Sequence, residues 1–387
     1  MVPNTEPEPE TALFKKKSAD KVVYERDWQL HDITMKEIRD AVPAHCFKRE
    51  TLRSFTYVAH DLILITLLGY GATFIDTLPE SYRYVLWPSY WIAQGSVSMG
   101  AWVIAHECGH QAFSPSKFIN NSVGWIIHSA LLVPFHSWRI SHSRHHKANG
   151  HLSRDTAFVP PTRSQLGLPS KDQDPDTRHS LLDEAPLTAL FNFLIMFACG
   201  WQAYLLFNAS GQDYGRWTSH FHPWSPLFES HQFWEVIVSD IGIVGMLIIL
   251  ACSATVFTPL AVLKYYFIPY MIVNFWLVLI TYLQHTDPAL PRYRDSAWNF
   301  QRGAALTIDR SYGWLLNHLH HHLADTHVAH HFFSQIPHYH AQEATMHIKK
   351  ALGKHYIKDE TPIPIALWRT FTQCRFVEDE GDIVFYQ

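Results

Sequence analysis

The sequence predicts an all-α, multi-pass membrane protein: about four spanning helices in two hairpins, further helices lying at the interface, and a polar cap on one face. Three observations predict it. Hydrophobic residues make up 47% of the 387-residue chain, aromatics 14% and charged residues only 17%, poor in charge and rich in aromatics for a water-soluble domain. Mean hydropathy is nevertheless −0.09, so the apolar residues must be gathered into segments with polar stretches between them. Histidine, at 27 residues, falls largely in short clusters beside those segments.

A spanning helix needs about 20 mostly apolar residues. Five segments approach that length: Phe55–Ile75, Val85–Ala105, Pro186–Phe207, Val236–Phe257 and Tyr265–Leu283. Ser122–Phe135 is apolar but too short to span. The first two segments are joined by a short link at Asp76–Tyr84. The last two are joined by Thr258–Lys264, where Pro259 marks a turn. Each pair reads as a hairpin that crosses and returns. Of the 31 Lys and Arg residues, only Arg83 and Lys264 lie in these two links, so the positive-inside tendency puts the rest of the polar chain, with both termini, in the cytosol. Pro186–Phe207 is expected to lie at the interface or re-enter, as is Ser122–Phe135, because a crossing there would separate histidine clusters that need to share a side. The polar stretch 160–179 reads as loop.

The reading divides the chain into a cytosolic N-terminal segment (1–54), a membrane-bound domain with the histidine clusters (55–345) and a cytosolic C-terminal segment (346–387). The first 17 residues lack the apolar stretch of a secretory signal and carry Glu6, Glu8 and Glu10, unlike an organellar transit peptide. Five scattered cysteines without a CxxC pair indicate neither a disulfide framework nor a cysteine-zinc site. A net charge of −4 gives no sign of a nucleic-acid partner.

The chemistry lies in three clusters: His106 and His110 in HECGH, His142, His145 and His146 in HSRHH, and His327, His330 and His331 in HVAHH. Residues three and four apart share a helix face, so HxxxH presents two imidazoles to one side and HxxHH three. Eight imidazoles exceed what one ion takes and fit two. Neutral imidazole suits iron, copper, zinc and nickel; the apolar setting, with no hydrolase nucleophile nearby, favours redox chemistry on a lipid over hydrolysis. Two rivals come from other classes. HECGH also matches the HExxH pattern of zinc proteases, with Glu107 as base, but that reading leaves the other clusters unexplained. A metal carrier would need polar residues along its spans, and these spans are largely apolar.

The chain resembles the fungal Δ12 fatty-acid (oleate) desaturases of the membrane-bound desaturase superfamily. The resemblance is carried by AHECGHQAFS (Ala105–Ser114), HSWRISHSRHHKANGHLSRDTAFVP (His136–Pro160), YLQHTDPALP (Tyr282–Pro291) and THVAHHFFSQIPHYHAQEA (Thr326–Ala344). GQDYGRWTSHF (Gly211–Phe221) and the tail CRFVEDEGDIVFYQ (Cys374–Gln387) are also similar. It implies insertion of a cis double bond into oleoyl chains in the endoplasmic reticulum membrane, with O₂ and electrons from cytochrome b5 and its NADH reductase. The acyl carrier, a lipid or coenzyme A, stays open, as do ω3 desaturation and hydroxylation within the same family. It implies a di-iron centre whose ligands are His106, His110, His142, His145, His146, His327, His330 and His331. A ninth histidine is expected near the end of the last span, where His285 stands. His321 competes, six positions before the third cluster, with His320 or His322 as substitutes; otherwise His318, His320 and His322 read as a solvated face. Glu107, Asp155 and Asp325 are candidates to orient cluster histidines or are surface carboxylates. The aromatic tail, Phe385 and Tyr386, is similar to retrieval signals of the family.

Overall fold

The computed structural model describes residues 28–173 and 186–387, with side chains from 190 in the second stretch. Residues 1–17 and the end of the expected loop, 174–179, lie outside the described residues. Among these, almost all regular structure is helical, and four helices are long and apolar enough to cross a membrane.

After a short helix α1 (Met35–Ala41), the first hairpin is α2 (Thr51–Ala72) and α3 (Glu80–Gly109). Helices α4 (Lys117–Ala130) and α5 (Phe135–Ala148) follow, bent at 107° to each other, so the apolar stretch around Ser122–Phe135 is not part of one straight helix. Helix α6 is Pro186–Phe207, α7 Phe233–Val256, and α8 the continuous helix Pro259–His285 with a π-helical turn at Leu263–Phe267. The second hairpin is tighter than the sequence suggests. Pro259 opens α8 instead of sitting in a turn, since its missing N–H is one a helix start leaves unpaired anyway, and the Thr258 hydroxyl accepts from Ala261 N. The hairpin tips meet: Lys264 pairs with Asp76 at 3.0 Å and lies over the Trp87 ring, and Trp87 Nε1 donates to Asp76.

Helix α3 is the axis of the bundle and differs from the other long helices. It is long enough to span, yet the four that also satisfy composition are α2, α6, α7 and α8. Buried Gln94, Ser96 and Ser98 lower its apolar content, and they are tolerated because neighbours sheathe it. Ser96 Oγ accepts from Trp276 Nε1 of α8 at 2.9 Å. Gly95 permits that close approach: a Cβ there would fall 2.4 Å from Ile272 Cβ.

Helix α6 satisfies length and composition, but both its ends touch the cap. Near its start Phe193 meets Phe371, in the C-terminal region. Just past its end, Gln212 donates to the carbonyls of Leu152 and Asp155, which follow the second histidine cluster.

The cap is built from α9 (Phe300–Ala304), α10 (Trp314–Leu319), α11 (His327–Phe332), α12 (His338–Leu352) and α13 (Ile363–Gln373). Two short strands, β1 (Arg292–Tyr293) and β2 (Ile383–Val384), pair antiparallel and fasten the tail to the chain leaving α8. The N-terminal segment packs into the same body: Ile38, Val42 and Cys46 share a core with Val328, Ala344 and Ile348. Phe385 and Tyr386 are buried, and Tyr386 Oη accepts from Arg292. The tail whose aromatics are similar to retrieval signals is therefore packed into the cap.

Candidate metal centre

All three clusters sit where the bundle meets the cap. His106 is in the last turn of α3 and His110 is its C-cap. The second cluster is the last turns of α5, the third is most of α11, and His285 is the final residue of α8. Four helix ends thus aim imidazoles at one place.

They gather in two groups. Ligand atoms of His106, His110, His142, His146 and His330 all lie within 4.8 Å of one another, as do those of His145, His285 and His331. His327 joins the second group, its Nε2 2.9 Å from His285 Nε2. Within the first, His106 and His142 approach to 2.9 Å, His110 and His106 to 3.2 Å, and His146 and His142 to 3.1 Å. Helical spacing sorts them. The i, i+4 pairs (His106/His110, His142/His146, His327/His331) each stay in one group, while the odd residues His145 and His330 cross to the other. The two HxxHH clusters therefore interlock rather than each presenting three rings to one point.

Hydrogen bonding alone does not account for this packing. A single nitrogen of a neutral imidazole carries either one N–H or one lone pair, so His106 Nε2 and His142 Nε2, each facing two other Nε2 atoms, cannot hydrogen-bond both neighbours. His330 Nε2 and both ring nitrogens of His331 are buried without a hydrogen-bond partner among the described residues, a costly state unless something else binds them. Burial first, then neighbouring imidazoles, hold the His146 and His331 pKa values well below the usual histidine range, so the rings are neutral and their lone pairs free to bind a cation. An ion bound roughly 2.0–2.1 Å from each nitrogen would set adjacent nitrogens about 3 Å apart, which is the spacing observed. The nine residues fit two metal ions.

Supporting contacts differ from ring to ring. Asp155 Oδ1 lies 2.7 Å from His145 Nδ1, and its other oxygen accepts from Gly150 N. Glu107 does not orient a cluster histidine; its Oε2 accepts from His338 N and lies 2.9 Å from His338 Nδ1. Asp325 pairs with His322 instead. His321 stands outside both groups: Nε2 is 2.8 Å from Asp61 Oδ2. Asp61, in the expected first span, is buried at 2% exposure and also pairs with His60. A Cβ at Gly100 would fall 2.4 Å from Leu319 O and 3.0 Å from Asp61 Oδ2, so a glycine is what lets α10 reach this pair. Of the expected solvated face, His318 is exposed and His322 half-buried, but His320 is buried against Trp276 and joins neither group. The missed contributors are Asp61 and Arg292, whose partners lie far away or in backbone, leaving no local signal.

A model of the fatty acid desaturase family matches residues 84–361. The chain belongs to that family. The matched stretch takes in all nine histidines. The desaturase is 57% identical over 374 residues to a Delta(12) fatty acid desaturase of Mortierella isabellina, covering 95% of this chain and 94% of the relative. It is equally similar to the Delta(12) fatty acid desaturase of Mortierella alpina. At 45% identity over 354 residues, 90% of this chain and 88% of the relative, it also matches an oleoyl-12-hydroxylase of Ricinus communis. This desaturase is an oxidoreductase with histidine groups able to bind metal.

Proposed function

We propose that this desaturase inserts a cis double bond at Δ12 of oleoyl chains to give linoleoyl chains, with a di-iron centre held by His106, His110, His142, His146 and His330 on one side and His145, His285, His327 and His331 on the other. The observation that carries the proposal is the convergence of nine imidazoles, seven of their residues buried and His110 and His142 half-buried, in groups of five and four where the bundle meets the cap. Iron bound there would supply the redox chemistry that lets O₂ oxidise an unactivated C–H bond, which zinc cannot. The balance is two hydrogens from adjacent carbons of the acyl chain, with two electrons and two protons, reducing O₂ to two waters.

The chain's own residues do the positioning. Trp102, Trp138, Trp201, Val273 and Leu277 form a dry apolar layer packed together beside the histidines, against which an acyl chain would lie while water is kept out. The helix-held imidazoles need no reorganisation during the reaction. We assign the electrons to cytochrome b5 and its NADH reductase, docking on a cytosolic cap, and the protein to the endoplasmic reticulum membrane. Residues 55–345 would form the catalytic domain, flanked by cytosolic segments 1–54 and 346–387. The 57% identity to two Delta(12) desaturases favours Δ12 over the ω3 and hydroxylase outcomes.

Expression in a yeast that makes no polyunsaturated lipids, followed by gas chromatography of its fatty acids, tests the reading. Linoleate is expected. A C18:3 product without accumulated linoleate, or 12-hydroxyoleate, would replace the Δ12 assignment.

A further inference from the structure

A second group of metal-type donors lies outside the histidine centre. The turn Ala44–Phe47 and the first turns of α12 bring together His45, Cys46, His340 and Glu343, with ligand atoms all within 4.8 Å of one another. His45 Nε2 is 2.9 Å from Glu343 Oε2 and 3.8 Å from Cys46 Sγ. The His45 and His340 rings meet edge-on at 5.6 Å. His340 and Glu343, three apart on α12, share one helix face.

We infer that His45, Cys46, His340 and Glu343 form a separate binding site for a single zinc-like divalent cation. One thiolate, two imidazoles and a carboxylate are four donors of the kinds that zinc takes in tetrahedral sites. A surface ion pair would explain His45 and Glu343, and core packing places Cys46, but neither accounts for a second imidazole, His340, converging on all three. The set is also unlike the nine-histidine centre: it includes sulfur, and its histidines are reachable from solvent, with the His45 side chain 56% exposed.

The site has a structural consequence. His45 and Glu343 are 298 positions apart, so a cation here would clamp the N-terminal segment to α12. The first residue of that helix, His338, holds Glu107, the neighbour of His106. The cation would tie down the cap without touching the histidine centre.

Cobalt(II) is the probe, because only a thiolate ligand gives a near-ultraviolet sulfur-to-cobalt band and none of the nine clustered histidines can. Added to the purified full-length protein in detergent, with its resident metal in place, one equivalent of cobalt is expected to raise that band and zinc to abolish it. Cys46→Ser should lose the band. Because Cys46 is buried and its replacement could disturb folding, His340→Ala and Glu343→Gln serve as half-exposed variants, each expected to weaken cobalt binding about 10-fold or more. No band with folded wild-type protein would overturn the site, as would a band that survives Cys46→Ser or is bound equally tightly after His340→Ala.

Discussion

The two halves of the histidine centre are braced by different physics. In the five-histidine half the rings rest on aromatic faces: Trp138 stacks on His142 at 4.4 Å and Trp102 on His106 at 5.6 Å. In the four-histidine half one aromatic face recurs, Phe158 on His285 at 5.3 Å, but charge does most of the holding. Asp155 orients His145. The carbonyl of His285 accepts from buried Arg292. Two residues on, Asp287 enters a buried network with Arg310, Asp359 and Arg369, and Arg310 also donates to Leu283 O. Four of the five histidines in the first half come from the ends of α3 and α5, whose own backbone aims them. The second half draws one histidine from α5, His285 from the last residue of α8, and two from a helix of six residues, where tertiary contacts must aim the side chains.

If both halves serve one reaction, losing a ligand from either should be equally severe. His330→Ala and His145→Ala are each expected to lower linoleate at least about 100-fold and to reduce bound metal, with protein still present in the membrane. A variant of one half that keeps substantial activity would show that the halves are not a joint centre.

The next largest effect should separate them. Arg310→Met removes the partner of two buried carboxylates, and an unpaired buried charge costs about 3–5 kcal/mol. We expect a lower thermal midpoint in detergent and less protein in membranes. A midpoint unchanged from wild type would mean that Asp287 and Asp359 are adequately held by Arg369 alone.

Asp155→Asn probes orientation without a change of shape. Carboxylates that fix a ligating imidazole commonly account for 10–100-fold in metal affinity or activity, so a loss of about that size is expected, with a normal thermal midpoint. Asn keeps an acceptor for Gly150 N or His145 but cannot stabilise the ring as an anion does. Glu107→Gln, on a carboxylate that meets His338 rather than a clustered histidine, should be milder; equal losses would remove the distinction drawn from the geometry.

These contrasts also show where sequence reasoning reaches its limit. The HxxxH and HxxHH spacings make most of the histidine grouping readable because helical period alone decides which residues share a face. The crossing of His145 and His330 between groups is not readable, since it depends on how α5 and α11 are rotated about their axes. His285 came from family resemblance; nothing local distinguishes it from His321, and only the 2.8 Å bond to Asp61, 260 positions away, explains why His321 is elsewhere. Glu107, Asp155 and Asp325 look alike in sequence, yet they face His338, His145 and His322. The bundle was legible by apolar length, but α3 shows its weakness: its second half, largely buried from Gln94 onward, can carry polar residues that a lipid-facing helix cannot.

The smallest effect concerns the short helix itself. Asp309 Oδ1 accepts from Val328 N at 2.8 Å, satisfying one of the orphan donors at the start of α11, and its other oxygen accepts from Tyr356 Oη. An aspartate distant in sequence thus does for the third cluster what an N-cap residue does locally. Asp309→Ala should cost about 2 kcal/mol, combining a lost cap with a buried hydroxyl left unpaired. Asp309→Asn retains a carbonyl oxygen for Val328 N and should recover most of that. Thermal midpoints of the two variants, measured beside linoleate yield, check the argument. If Asn and Ala lose equally, the charge of Asp309 rather than its capping contact is what steadies His327 and His331, and the four-histidine half would then depend on buried charge throughout.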